Sequence, residues 1–541
     1  MTGPAGPGAT GATTDEEGRD KGMDRSRGAD GADGADGAVG AAEGAADERA
    51  DRRTDRSRRP ALRRAVVLGG GFAGMLTASV LARHAEQVVV LDRDRLPAGP
   101  VARAGLPQAR HGHLLMASGA ASLEALLPGL TDSLTAAGAR RLALPGDLVT
   151  LTPHGWLPRI GEASHGWCLS RDLLDWIVRD RVLADPAIEL RQGVHGEGLV
   201  GDARRVTGVR VRGGAWPDGR ELPADLVVDA TGRGSRAPDW LAGLGLPDAV
   251  QERVDCGLVY ATLLVRAPEG AAAFPSVSIQ SGPGAGPGRA GVIFPIEDGR
   301  WLVTLSATRG AEAPRDEAGF HAFARALPHP LIADLLPLCE PLDQVRRYGN
   351  TADRRRRYDR LRRWPAGFAV VGDAVAHTNP AYGHGLSVAA AGVLELARAL
   401  EHRGADDGRL TAGVRRAVHR ATRAAWSLAT GQDVLYPDVA GARPTRGDRT
   451  RARLGERLQA VAVRADGTGG DADAVLRTLV RLGTLEGRPA DLARPAAVRA
   501  LLRGPAPEVL PGREPPLTED ELALLGDGAR RLHDGARGRV V

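Results

Sequence analysis

The sequence predicts an α/β fold, in which a domain of parallel strands and helices is interrupted by a mainly antiparallel β-sheet and followed by a helical C-terminal region. Three observations predict it. Residues 65–92 read as strand, glycine-rich turn, helix and strand, and residues 364–401 return to strand, turn and helix. Between them, residues 251–345 carry GLVYATLLV, SVSIQ, AGVIFPI and WLVTLSA, separated by Gly/Pro turns. An unbroken run such as VVVL at 88–91 suits a parallel strand buried on both faces. Short alternating runs punctuated by turns suit antiparallel pairing.

The 541 residues suffice for two or three domains at roughly 150 residues each. Residues 1–60 contain GADGADGADGA, many charges and no apolar period, so they read as a disordered tail. Residues 61–250 form the first part of the α/β domain, 251–345 the inserted sheet, 346–402 the second part of the domain, and 403–541 the helical region. Within the first part, LLMASGAASLEALL at 114–127 reads as a helix ending at Pro128-Gly129, and Ser170 caps a helix that Asp185-Pro186 ends. Residues 205–229 are strand-like, with a turn at WPDGR. The apolar run Ala65–Ala82 follows Arg63-Arg64 as a membrane segment would, but Gly69-Gly70-Gly71 breaks it, so no membrane span is expected.

Composition narrows the function classes. The net charge of +5 is the small difference between 72 basic and 67 acidic residues, which are interspersed, so no nucleic-acid partner is implied. Cys168, Cys256 and Cys339 are far apart and lack CxxC spacing, which argues against a disulfide framework or a zinc site and fits a reducing cytoplasm.

Gly69, Gly71 and Gly74 form G-x-G-x-x-G between a strand and a helix. The first glycine permits the tight turn, the second lets backbone approach a pyrophosphate, and the third allows close helix–strand packing. This is a Rossmann-like dinucleotide fingerprint. The helix N-terminus, with Phe72 inside the turn, offers N–H groups to phosphates. Asp92, at the end of the next strand and followed by Arg93, is placed to accept from a ribose hydroxyl, which favours FAD or NAD over a phosphorylated ribose. A second segment, FAVVGDAVAHTNPAYGHGLSVA at 368–389, separates those two. Asp373 at a strand end can hold ribityl hydroxyls. Pro380, Gly383 and Gly385 open a helix whose N-terminus stabilises negative charge on a reduced flavin by about 0.3–2 kcal/mol. NAD has no ribityl chain, so the pair of motifs points to non-covalent FAD.

At these residues the chain resembles the class A flavoprotein monooxygenases, and within them the actinobacterial branch of lasalocid- and monensin-type polyether epoxidases. The resemblance spans about residues 64–440. It also takes in RAGLPQARHGHLL at 103–115, Arg171 in LSRDLLDWI, DLVVDATGRGSR at 225–236 and RRRRYDRLRRWP ahead of Gly372-Asp373. It implies that Arg103, Arg171, Asp373 and Gly383 lie at FAD, and Asp92 at its adenosine ribose. It further implies a cytoplasmic enzyme of secondary metabolism, reduced by NADPH or NADH or by a separate flavin reductase. Such an enzyme inserts one oxygen of O₂ into a small molecule through a flavin C4a-hydroperoxide. The Leu, Val and Ala of the inserted sheet suggest an apolar, polyketide- or polyene-like substrate.

Two positions depart from the pattern. His384 stands where Gln is usual in NPxYGQG, and Thr231-Gly232 replaces an Asp-Gly pair. The latter is also found in reductases and dehydrogenases acting on C=C bonds, so that activity and a non-enzymatic flavin-binding role stay open. No catalytic side chain is certain. His384 is a candidate proton carrier beside the flavin. His111 and His113 lack metal-ligand spacing and read as a loop beside FAD or solvent, and no metal is expected. Arg354–Arg357 reads as a solvated face or a contact with an anionic cofactor or substrate.

Overall fold

A computed structural model describes residues 61–284, 286–404, 408–503 and 514–523, and the predicted tail at 1–60 lies outside them. Five parallel strands form the central sheet, in the order Phe368–Val370, Leu226–Asp229, Leu62–Leu68, Ala85–Asp92, Ile188–Gln192. Apart from the edge strand Ile188–Gln192, most of their side chains are buried, as unbroken apolar runs require when helices cover both faces. The carboxyl ends of four of these strands lead directly into Gly69, Asp92, Thr231 and Asp373. All four therefore come to one edge of the sheet, where ligands of such folds bind.

The inserted sheet runs Glu340–Pro341, Val259–Arg266, Arg300–Ala307, Arg289–Ile296, Ser276–Gln280, Leu148–Thr152, Gly155–Trp156, with Arg346–Tyr348 as an eighth strand beside Val259–Arg266. It recruits strands from 148–156, outside the 251–345 stretch that reads as sheet. Leu148–Thr152 makes a parallel pair with Ser276–Gln280, and the other pairings are antiparallel.

Alternation along these strands sorts the two faces. Leu263, Val265, Val277, Ile279, Val303 and Leu305 pack beneath the helices Glu317–Arg325 and Leu331–Leu335. Tyr260, Ser278, Thr304 and Ser306 face the opposite way, into the cleft described below. Leu258, Ala290, Val292 and Phe294 line the cleft beside them, so the inner face of the sheet is mixed, polar and apolar.

Other local readings meet the structure unevenly. Ser170 Oγ accepts from the N–H of Leu173 at 3.1 Å and caps Arg171–Leu183, as expected. Leu114–Met116 is a strand, and only Ala117–Leu126 is helix. WPDGR lies within the strand Trp216–Pro223, because Gly213 and Gly214, both at positive φ, already turn the chain. In the C-terminal region Arg446–Ala462, Asp471–Gly483 and Pro495–Arg503 share a small core of Leu458, Val461, Val475, Leu476 and Ala497. Thr445 and Asp448 cap the first of these reciprocally. Among the described residues no helix is long and apolar enough to cross a membrane.

The arginine run is not a solvated face. It forms the strand Asp353–Arg356, where Arg356 is 7% exposed and donates to the carbonyls of Ala374 (3.0 Å) and Ser235 (3.1 Å). Arg355 and Arg357 clamp Glu252, and the Arg355 guanidinium lies 4.3 Å from the Trp426 ring centroid. The run thus fastens the strand-end loops on either side of the cleft.

Candidate functional site

A cleft of about 920 Å³ runs from the glycine-rich turn to the inner face of the inserted sheet. Its size lies at the upper end of the range for cofactor and ligand sites, about 300–1,000 Å³. At one end Gly69 has φ +97°, and Gly74 lies so close beneath it that a Cβ there would sit 1.8 Å from the Gly69 carbonyl oxygen. A Cβ on Gly71 would meet nothing within 4 Å, so backbone at the start of helix Phe72–Leu81 stands open to the cleft.

Asp92 is 3% exposed, and its Oδ2 accepts from the N–H of Gly70 at 2.7 Å. Arg103 reaches the same oxygen at 3.4 Å and Asp94 at 3.4 Å, while Arg93 extends to solvent with its side chain 69% exposed. The Asp92 carboxylate therefore fastens the turn as well as lining the cleft.

Arg171 opens helix Arg171–Leu183, pairs with Asp175 at 2.7 Å and lies over the Phe72 ring at 5.5 Å. Asp373 pairs with Arg233 at 3.6 Å, a residue that sequence reasoning did not single out. Burial raises the Asp373 carboxyl above its ordinary value, with Arg233 and then Arg171 opposing it. Arg233 also donates to the Tyr348 hydroxyl at 2.7 Å and to the Asn350 carbonyl. Its buried Nε is the nitrogen of the 3.6 Å pair with Asp373, beyond hydrogen-bond distance.

His111 and His113 both line the cleft. His111 Nδ1 lies 2.8 Å from Thr262 Oγ1, which lies 2.7 Å from Thr304 Oγ1, so a short chain of polar groups ties this loop to the sheet. Burial pushes His111 down to about 4 and His113 down to about 3, Arg171 adding to the latter, so both are neutral near pH 7.

Pro380, Gly383 and Gly385 line the cleft, but the candidate proton carrier His384 does not. Its ring is 3% exposed and turned to the C-terminal helices, with Nε2 2.9 Å from the Gly483 carbonyl. His384 is the N-cap residue but makes no side-chain cap hydrogen bond, and adjacency in sequence did not reveal which way it turns. His384 is thus a docking contact for helix Asp471–Gly483. His384→Gln, which keeps an N–H donor, is expected to retain cofactor content and melting temperature. His384→Ala is expected to cost about 1 kcal/mol of stability, the ordinary net worth of one hydrogen bond. Thermal melts of both variants check this.

A protein of Mycobacterium tuberculosis (strain ATCC 25618 / H37Rv), Protein Rv3254, is 33% identical over 382 residues, which is 69% of this chain and 80% of that protein. The chain belongs to the Rv3254 family. No family model matches it.

Among solved structures, a triple mutant of the flavin-dependent brominase Bmp2 superposes with a TM-score of 0.57 at 14% identity, covering 81% of this chain and 99% of that one. The p-nitrophenol 4-monooxygenase PnpA from Pseudomonas putida DLL-E4 gives 0.54 at 18%, covering 80% and 100%. A flavoprotein/dehydrogenase from Cytophaga hutchinsonii gives 0.54 at 14%, covering 81% and 96%. The fold is the one these flavoproteins share, a Rossmann-like domain with an inserted sheet and C-terminal helices.

Proposed function

We propose that this protein is an FAD-dependent monooxygenase that transfers one oxygen atom of O₂ to a small molecule held against the inserted sheet. The observation that carries the reading is the continuity of the cleft. Both glycine motifs, Asp92, Asp373 and the inner face of the sheet open onto one space.

The residues fit FAD. The turn at Gly69–Gly74 and the N-terminus of helix Phe72–Leu81 would take the pyrophosphate, where the open side of Gly71 leaves room. Asp92, Arg93 and Arg103 would lie at the adenosine end, Asp373 at the ribityl chain, and Pro380, Gly383 and Gly385 at the isoalloxazine, with Arg171 held over Phe72. The guanidinium of Arg233, whose Nε faces Asp373 at 3.6 Å, would stand beside the same part of the cofactor. FAD, when bound, supplies the electrons and the oxygen chemistry, while the protein binds, orients and excludes water. NADPH, NADH or a separate flavin reductase would reduce it.

The purified protein is expected to be yellow and to release FAD on acid precipitation. Reduced protein mixed with O₂ in a stopped-flow spectrometer is expected to pass through a transient absorbance distinct from both the reduced and the oxidised spectra. Direct reoxidation without a transient would favour the second reading, a reductase or dehydrogenase acting on C=C bonds. Thr231-Gly232 in place of Asp-Gly favours that reading. Epoxidation, the reaction of the polyether branch, needs no catalytic base, and the cleft contains side chains that can act as one.

A further inference from the structure

The inner face of the inserted sheet changes character along its strands. Side chains two residues apart share a face, and paired residues on neighbouring strands form rows across it. One row runs Gln280, Ala290, Ser306, Tyr260, and the next runs Ser278, Val292, Thr304, Thr262. Phe294 stands one row further on, and with Leu148 and Met116 it packs on a small cluster that includes Leu114 and Leu142. A Cβ on Gly383 would sit 3.0 Å from Met116 Cε, so this apolar corner adjoins the turn that carries Gly383.

The other corner holds hydrogen-bonding capacity that the protein leaves unused. The Gln280 amide donates to Ser278 Oγ at 3.0 Å. The Gln280 carbonyl oxygen and the Ser278 proton have no partner among the described residues. Ser306 is 8% exposed, and its hydroxyl opens on the cleft without a hydrogen bond to any described residue. Gln280 and Ser306 lie two strands apart, roughly 10 Å, and the residue between them is Ala290, whose methyl group leaves the cleft its depth there.

This face also offers no charge. Arg289 begins one of its strands, but the guanidinium lies 5.7 Å from the centroid of the Phe323 ring, which packs on the opposite face. Arg93, Arg103, Arg171, Arg233 and Arg236, the other arginines of the cleft, all belong to the nucleotide-binding part. An ionised group seated on the sheet would find no counter-charge, and burying an unpaired charge is costly.

We propose that Gln280, Ser278 and Ser306 form a subsite for a neutral, oxygen-bearing end of the substrate, and that Phe294, Leu148 and Met116 receive its apolar end beside Gly383. The proposal rests on the monooxygenase reading and narrows its substrate to an uncharged amphipathic molecule. Hydroxyl and carbonyl oxygens both suit the subsite, because a serine hydroxyl donates and accepts while the Gln280 oxygen accepts. Ala290 and Phe294 are four residues apart along one strand, so the two ends are separated by roughly 13 Å.

The test uses the FAD-loaded protein and two probes, β-naphthylethylene glycol and β-ethylnaphthalene, which share a carbon skeleton and differ only in the hydroxyl groups. Equilibrium dialysis reads their binding. Wild type is expected to bind the glycol saturably. Ser306→Ala and Gln280→Leu are each expected to weaken the glycol about tenfold, as loss of a hydrogen bond does, and to leave ethylnaphthalene unchanged or tighter. Ser306→Ala removes no hydrogen bond of the protein, so its melting temperature and flavin content should match wild type. No saturable glycol binding by wild type overturns the proposal. So does unchanged glycol affinity in either variant, or an equal loss of both probes, which would mean that the corner shapes the cleft without reading oxygen. A low melting temperature or lost flavin in Ser306→Ala overturns it too, since Ser306 would then be a fold or cofactor residue. Failure of wild type itself to hold FAD is a different result, and it removes the monooxygenase reading instead.

Discussion

Gly74→Ala is expected to abolish flavin binding and lower the melting temperature of the apoprotein. The new Cβ would stand 1.8 Å from the Gly69 carbonyl oxygen and 2.9 Å from its carbon. Both are backbone atoms, so no rotamer change relieves the clash. The helix must lift from the turn, or the turn must open. Overpacking a core with one extra group costs typically about 1–3 kcal/mol, and a clash of backbone against Cβ belongs at or above the top of that range.

Gly71→Ala supplies the control. Its Cβ meets nothing within 4 Å and its φ of −81° suits any residue, so the apoprotein should melt as wild type does. If the pyrophosphate passes this point, the methyl group occupies its space and flavin binding falls all the same. Thermal melts of the apoproteins and flavin retention through gel filtration separate the two effects. Undiminished flavin binding by Gly71→Ala would mean that the turn faces something other than a pyrophosphate.

The same residues show what was legible in the sequence. The strand, tight turn and helix that carry Gly69, Gly71, Gly74 and Asp92 were legible because they follow from neighbours in the chain. Asp373 is placed the same way, by the strand that ends beside it. The hydrogen bond from the Tyr382 hydroxyl to Asp433 Oδ1, at 2.6 Å, was not legible. Tyr382 and Asp433 are 51 residues apart, and no local pattern links a helix-terminal Asp to a loop Tyr. Arg233 was visible only as one residue of a motif, since its partners Tyr348 and Asn350 arrive with another strand. The strand at 148–152 escaped for a similar reason, because its partner Ser276–Gln280 lies far along the chain. Face assignment also needed the tertiary structure. Alternation in WLVTLSA announces two faces, but only the helices Glu317–Arg325 and Leu331–Leu335 decide that the apolar one is turned from the cleft.

Asp373→Ala is expected to weaken FAD binding about ten- to a hundredfold while leaving the apoprotein folded. Hydrogen bonds to a charged group are worth about 1.5–3 kcal/mol each, and each 1.4 kcal/mol is a factor of ten in affinity. The structural contribution of the carboxylate is small. Its ion pair with Arg233 is long at 3.6 Å, and Arg233 keeps the Tyr348 hydroxyl and the Asn350 carbonyl when the acid is gone. The buried donor that faces Asp373, Arg233 Nε, stands 3.6 Å away, whereas Thr231 and Ser235 donate at 2.6 Å to Asp229, which is fully buried. Asp229→Ala should therefore damage the fold, and Asp373→Ala should not. Asp373→Asn refines the comparison, since an amide oxygen can still accept from a ribityl hydroxyl but brings no charge. It should bind FAD between wild type and Asp373→Ala. The measurement is FAD affinity by fluorescence quenching, set beside the melting temperature of each apoprotein. A much lower apoprotein melting temperature for Asp373→Ala, with unchanged FAD affinity per folded molecule, would make Asp373 a turn residue and move the flavin elsewhere in the cleft.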